Sequence, residues 1–555
     1  MIAGIEYMFG IVGVPIIEVG MAAQTEGIKF IAMRNEQAAS YGASAIGYLT
    51  GRPAVCLVVS GPGLVHAFAG MANAMENCWP LIVIGGSCDR DHESMGGFQE
   101  YPQVSFAQKY SKFSARPSSI EQIPFFIEKA VRQSIYGRPG ACYIDLSAEM
   151  VTGTVPVSSI RDVPYCPPPP RILADPKDVK EAVDILLSAQ RPLVVIGKGA
   201  AYARAEEVTN QLVSLCRLPF LPTPMGKGVI PDSHQFCVSP ARTRALAEAD
   251  VVLLLGARLN WILHFGRPPR FSKGVRFIQI DICPEEIGNN VKPAVGLVGD
   301  LRCVIGQLVT EVQSRPKHLQ SCSNSSWWKL LRTKIDSNQA SVKSMCDDTS
   351  VPLNYYAALS EIQKILPSDC LIINEGSNTM DIGRTMLLNH FPRHRLDAGT
   401  FGTMGVGLGF AVAAAIWCRD HEPGKRIICV QGDSAFGFSG MEIETLQRYQ
   451  LPVIIIILNN NGIMMGVDED SWETMKENDL SLTAPPTSLV PNTRYEKLID
   501  VFGGRGYFAQ TVEEIRSSLQ SALRDTKQSS IINITINPHA QRKPQEFYWF
   551  SKSKM

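Results

Sequence analysis

Asp433, Asn460 and Gly462 are the residues whose types and spacing most directly spell a chemistry. A carboxylate, a side-chain amide and a glycine carbonyl offer a small set of hard oxygens. Such a set suits Mg2+, which is completed by water and phosphate oxygens. Gly462 can offer its carbonyl where a bulkier residue would crowd the site. The pattern between them, RIICVQGDSAFGFSGMEIETLQRYQLPVIIIILNNNG over 426–462, says where they stand. Arg426 to Gln431 is a β-branched run that predicts a buried strand. Gly432-Asp433-Ser434 breaks it as a loop. Gly440 to Gln450 carries Met441, Ile443, Leu446 and Tyr449 at helical spacing. Pro452 ends that helix, and Val453 to Leu458 predicts a second buried strand. Strand, loop, helix, strand is a βαβ unit, so the sheet is parallel. Asp433 and Asn459-Asn460 then both fall just past carboxyl ends of strands, where open α/β sheets bind ligands. A helix following Asp433 aims its N-terminus at the same edge and favours a diphosphate.

The rest of the chain repeats this alternation. Ile28 to Met33 predicts a strand, then Arg34-Asn35-Glu36-Gln37 and an Ala-rich helix through Ile46. Glu36 lies at the strand end, again at the ligand edge. Val55 to Val59, Leu81 to Ile84 and Gly140 to Leu146 are further strands, the first followed by Ser60-Gly61-Pro62-Gly63. Ile5 to Val12 reads as the end of a helix running into a strand, so the first helix is expected to be incomplete. Ser158 to Pro170 ends in four prolines and makes a stiff linker. In the middle region, strands at Leu193 to Ile196, Val251 to Leu255 and Phe277 to Ile280 end at Gly197-Lys198-Gly199, Gly256-Ala257-Arg258 and Asp281. Arg258 and Asp281 suit a nucleotide, arginine for phosphate and aspartate for ribose hydroxyls. Leu371 to Asn374 and the glycine-rich 399–409 segment, leading into an Ala-rich helix, open the last region. The expected fold is α/β, with three doubly wound parallel-sheet domains. Their bounds are 1–157, a linker 158–171, a central domain 172–320, a helical or irregular connector 321–350, a C-terminal domain 351–537 and a tail 538–555.

Composition narrows the class. A chain of 555 residues exceeds one core. A formal net charge of zero gives no sign of a nucleic-acid partner. Fourteen cysteines without a CxxC pair fit buried free thiols in a reducing compartment better than disulfides or zinc. No apolar run reaches membrane-spanning length.

GD followed by this spacer and NN resembles the diphosphate motif of thiamine-diphosphate-dependent enzymes. RNEQAA, SGPG, GARLNW, GTFGTMGVGLG and GDSAFGFSG extend the resemblance along essentially the whole chain. It is nearest to the acyl-CoA branch, which holds 2-hydroxyacyl-CoA lyase and oxalyl-CoA decarboxylase. The resemblance implies pyrimidine-binding, central Rossmann-like and diphosphate-binding domains. It makes thiamine diphosphate and Mg2+ the cofactors, with Asp433, Asn460 and the Gly462 carbonyl as metal ligands. Gly432, Ser434 and Ile463 would flank the diphosphate. Glu36 would hydrogen-bond N1′ of the aminopyrimidine and so favour the tautomer that activates C2. Met404 would prop the cofactor, with Gly405 beside it, and Gln99 would face the reacting carbon. The implied reaction cleaves a 2-hydroxyacyl-CoA to formyl-CoA and a shortened aldehyde, with α-oxidation of fatty acids as its setting. The alternatives are an oxalyl-CoA decarboxylase or a non-catalytic nucleotide-binding paralogue. The family also implies a homodimer or homotetramer with active sites between subunits. The final Ser553-Lys554-Met555 resembles a peroxisomal address read by an import receptor. One departure stands out: Met464 occupies the position at which relatives of this branch carry a substrate-facing tyrosine, and it can donate neither proton nor hydrogen bond.

Overall fold

The computed structural model describes residues 4–315 and 325–543. Ser553-Lys554-Met555, most of the tail and the start of the connector lie outside the described residues. Three parallel sheets account for all the named strands. The first has β1 (Tyr7–Ile11), β2 (Lys29–Ala32), β3 (Ala54–Val58), β4 (Leu81–Ser87), β5 (Phe113–Ala115) and β6 (Ala141–Ser147) in the order 2-1-3-4-6-5. The second has β7 (Pro192–Ile196), β8 (Phe220–Pro222), β9 (Val251–Leu255), β10 (Arg276–Asp281) and β11 (Val295–Val298) in the order 11-10-9-7-8. The third has β12 (Leu371–Glu375), β13 (Arg395–Asp397), β14 (Ile427–Gly432), β15 (Val453–Asn459), β16 (Arg505–Ala509) and β17 (Ser530–Thr535) in the order 13-12-14-15-17-16. The first and third orders are the same topology. Strands such as VIIIILN of β15 are buried throughout, because helices cover both sheet faces.

Six helices position the site or its frame. They are α1 (Glu36–Thr50), α2 (Pro62–Asn77), α3 (Ser326–Asp347), α4 (Gly407–His421), α5 (Asp433–Ser439) and α6 (Glu442–Arg448). Two of them correct the sequence expectation. There is no loop after β14: Asp433 itself opens α5. The expected helix over 440–450 is only Glu442–Arg448, and Met441 is exposed while Ile443 and Leu446 are buried. Glycines at 437 and 440 weaken a continuous helix there. The connector is helical from Ser326 onward. Trp327 and Trp328 are buried, and Trp327 Nε1 donates to the Pro192 carbonyl at 3.0 Å, fastening α3 to the central domain.

The first and third domains pack through α1 and α4, which approach closely enough to require glycine. A Cβ on Gly409 would stand 2.6 Å from the Ala38 carbonyl oxygen, and one on Gly42 would stand 3.0 Å from the Gly409 carbonyl oxygen. Trp79, fully buried, joins this junction, stacked on Tyr48 at 5.1 Å and tilted against Phe410 at 5.4 Å. The turn between β2 and α1 is latched to the third domain as well. Arg34 N donates to Glu442 Oε1 at 3.0 Å, and Ala32 N donates to the Tyr449 hydroxyl at 2.9 Å. The central domain adds its own ties, including Arg393 to Glu206 at 2.9 Å.

Gly409→Val is expected to push α4 from α1 and lower stability by about 1–3 kcal/mol, read as a fall in the thermal midpoint. A midpoint equal to the native one would contradict the close crossing.

Candidate active site

The β14–β15 pairing sets the first group of residues. Gly432 faces Leu458 in register, so Asp433 and Asn459-Asn460 follow at one sheet edge. The Asp433 carboxylate is buried. Its Oδ1 accepts from Ser434 N at 2.8 Å and its Oδ2 from Gly462 N at 2.9 Å. Among the described residues no cationic side chain pairs with it, and burial pushes it up to about 7. Gly462 is enforced by space: a Cβ would lie 2.6 Å from the Thr487 carbonyl oxygen. The Asn460 amide nitrogen donates to the Met464 carbonyl at 3.1 Å, which leaves its oxygen as the acceptor end. Asn461 pins the loop, accepting from Asn492 N at 3.0 Å and donating to the Val467 carbonyl at 3.0 Å. Ile463 is exposed and bonds through its N–H to the Thr487 carbonyl at 2.8 Å. Met464 is exposed with φ +66°, and its carbonyl also accepts from Asn378 Nδ2 at 3.1 Å.

These donors fit a magnesium ion. A buried carboxylate without a counter-charge, beside an amide oxygen and a glycine-only turn, is what a small hard cation would neutralise. Among the described residues no group of three or more His, Cys, Asp or Glu side chains gathers as a metal site. A set with one carboxylate agrees with that.

A second group supports the loop before α4. Glu375, fully buried at the end of β12, accepts from the N–H groups of Gly405 and Gly407, the latter at 2.8 Å, and from Gln431 Nε2 at 2.6 Å. Burial pushes its carboxyl up to about 7, against those hydrogen bonds. Gly405 has φ +89°, a conformation that favours glycine, and Met404 just before it is partly exposed. Glu375 and Gln431 carry no weight in the sequence reading. The available signal was an acid and an amide ending adjacent apolar strands.

The third group lies on the first domain. Asn35 caps α1, accepting from Gln37 N and Ala38 N, so Glu36 is the first helical residue. His66 Nδ1 lies 3.0 Å from Glu36 Oε2. Gln99 comes to the same edge, with φ +53° and its Oε1 accepting from Ser60 Oγ at 3.2 Å. Glu100 closes its loop, accepting from the N–H groups of Gly96 and Gly97, each at 3.0 Å. Glu36 and Gln99 are thus brought to one edge, and Asp433, Asn460 and Gly462 to another. Among the described residues no hydrogen bond or ion pair runs directly from Glu36 or Gln99 to Asp433, Asn460 or Gly462.

A cleft lies at the central domain's strand ends, lined by Gly197, Lys198, Met225, Gly256, Arg258 and Thr400 among others. Lys198 donates to Asn77 Oδ1 at 3.1 Å, and Thr400 N donates to the same oxygen at 3.0 Å. Burial pulls the Lys198 ammonium down to about 7. Arg258 lines the cleft and donates to Thr400 Oγ1 at 3.3 Å. Asp281 is not among the lining residues. It ends the neighbouring strand, accepting from Cys283 N at 2.9 Å and lying 3.5 Å from Arg138.

Comparison with known proteins agrees with the three-domain fold. The family model for the thiamine pyrophosphate enzyme N-terminal TPP binding domain matches residues 2–107. The central-domain model matches 179–308, and the C-terminal TPP binding domain model matches 375–534. The chain is 59% identical to 2-hydroxyacyl-CoA lyase 1 of Homo sapiens over 552 residues, covering 99% of this chain and 95% of that protein. It is 42% identical to 2-hydroxyacyl-CoA lyase of Arabidopsis thaliana over 547 residues, covering 97% and 94%. It is 38% identical to oxalyl-CoA decarboxylase of Escherichia coli (strain K12) over 545 residues, covering 97% and 93%. With all three domains matched in order and relatives aligned over nearly its whole length, the chain belongs to the thiamine pyrophosphate enzyme family.

Proposed function

We propose that this chain is a thiamine-diphosphate- and Mg2+-dependent carbon–carbon lyase that cleaves a 2-hydroxyacyl-CoA to formyl-CoA and a fatty aldehyde one carbon shorter. The observation that carries it is the buried, counter-charge-free Asp433 clamped to Gly462, in a chain so close to proteins named 2-hydroxyacyl-CoA lyase. Asp433, the Asn460 amide oxygen and the Gly462 carbonyl would hold Mg2+, with Gly432, Ser434 and Ile463 beside the diphosphate. Bound thiamine diphosphate supplies the carbon nucleophile and the electron sink for breaking the C1–C2 bond. Glu36 holds a proton at N1′ of the pyrimidine. Glu375 fixes the backbone of Gly405 and Gly407 and so presents Met404 and Gly405 to the cofactor. Gln99 offers its amide to the substrate. Arg258 and Lys198 receive phosphates in the central cleft.

A second copy of the chain is the natural complement to the split site. Large apolar side chains are exposed near both edges: Val65, Phe98 and Phe106 on the first domain, and Phe401, Phe438 and Ile463 on the third. A homodimer or homotetramer would cover them and bring Glu36 of one chain toward Asp433 of another. The setting we assign is peroxisomal fatty-acid α-oxidation, with Ser553-Lys554-Met555 as the address. No described helix is long and apolar enough to cross a membrane.

The decisive experiment supplies purified protein with thiamine diphosphate, Mg2+ and a long-chain 2-hydroxyacyl-CoA. Shortened aldehyde and formate, from formyl-CoA hydrolysis, are expected together, with Met464 in place. Release of CO2 from oxalyl-CoA without aldehyde would instead favour the decarboxylase, and no saturable cofactor binding would favour the non-catalytic paralogue.

Asp433→Asn is expected to weaken Mg2+-dependent cofactor binding about 100-fold, because the site's carboxylate is lost. Glu36→Gln is expected to bind the cofactor within a few-fold of native yet lower kcat at least about 100-fold. Fluorescence titration and steady-state kinetics separate the two effects. ADP binding, measured by calorimetry, is expected to weaken as pH rises from about 6 to about 8, because phosphate favours the charged Lys198 and the free group is held near 7. Lys198→Met is expected to bind ADP weakly with a flat pH profile.

A further inference from the structure

His66 stands in the second half of the first turn pair of α2 and reaches across to the first residue of α1. Its Nδ1 lies 3.0 Å from Glu36 Oε2. The imidazole is 55% exposed and the Glu36 side chain only 14%, so the histidine approaches the carboxylate from the open side. Gly63, the second residue of α2, faces the other oxygen. A Cβ there would lie 3.7 Å from Oε1, an ordinary contact distance. Beneath the pair, Cys56 on β3 has a thiol raised first by burial and then by the Glu36 charge. Among the described residues His66 is the only basic side chain paired with Glu36.

We propose that His66 is a positioning residue for Glu36, holding Oε2 so that Oε1 is presented to the aminopyrimidine. This rests on the proposed thiamine-diphosphate function. A glutamate has three side-chain torsions, and at the start of a helix its carboxylate can fold back onto free backbone N–H groups. Either freedom would misplace the proton that Glu36 shares with N1′. A donor on a neighbouring rigid helix removes both by fixing one oxygen and, with it, the plane of the carboxyl group. The neutral imidazole with hydrogen on Nδ1 does this without adding charge. An imidazolium in the same place would hold Glu36 ionised and oppose the sharing.

The test compares His66→Ala, His66→Asn and Glu36→Gln in the full chain. Three quantities are read: the thermal midpoint, the Kd for thiamine diphosphate at saturating Mg2+, and the deuterium-exchange rate at C2 of the bound cofactor by quenched NMR. His66→Ala is expected to slow the exchange about 10-fold, the scale of one hydrogen bond to a charged group, with midpoint and Kd near native. His66→Asn, whose amide can donate from a similar position, is expected to recover most of that loss. Native exchange in both histidine variants, with exchange lost in Glu36→Gln, would overturn the positioning role alone. A lowered midpoint and weakened Kd with native exchange would mark His66 as a scaffold contact and also overturn it. Native exchange in Glu36→Gln would overturn the Glu36 function on which the inference rests.

Discussion

Burying a carboxylate without a counter-charge costs several kcal/mol unless hydrogen bonds or a cation offset it. This chain does so twice on adjacent strands, with Glu375 ending β12 and Asp433 following β14. Both are pushed up to about 7 by burial, and both are held mainly by backbone N–H groups. Their partners connect them. Glu375 takes Gln431, which immediately precedes Gly432-Asp433, together with the N–H groups of Gly405 and Gly407. The glycine-rich loop is therefore hydrogen-bonded through Glu375 to the strand that leads directly into Asp433.

One place where the three domains meet is the Asn77 side chain. The Asn77 side-chain oxygen, from the first domain, accepts from Lys198 of the central domain and from Thr400 of the third. Trp79, two residues along, carries Lys198 over its ring at 5.7 Å. Thr400 belongs to the segment that runs on to Gly405. The central cleft and the Gly405 loop consequently share a border. On the proposed function, the handle of an acyl-CoA and the cofactor would be registered against each other by the same buried junction.

Parallel sheets made the architecture legible. Their strands are continuous apolar runs, and the turns that follow them carry the glycines and polar residues of the ligand edge. Asp433, Asn460 and Gly462 were readable because one βαβ unit supplies all three. Glu36 and Gln99 were readable as residues after a strand or a glycine loop. What escaped depends on pairing across distant sequence or on burial. His66 matters only because α1 and α2 lie side by side, Lys198 because three domains enclose it, and Glu375 because a loop thirty residues on folds over it. Local breaks were also misjudged: Asp433 starts a helix where a loop was expected, since it can satisfy its own first N–H groups. Asp281 follows its strand as expected, yet the carboxylate engages Arg138 rather than lining the cleft.

The split of the site follows from the same helix crossing that holds the chain together. α1 begins at Glu36, and α4 follows the Gly405 loop, so their contact fixes how the first and third domains sit within one chain. Because Gly42 and Gly409 bring the two backbones nearly into contact, that arrangement has little slack. Closing the Glu36 edge onto the Asp433 edge of the same chain would require undoing it. On the proposed function, the apolar side chains exposed at both edges would be covered where each edge meets the complementary edge of a second chain. Catalytic competence would then be a property of the assembly rather than of the single chain.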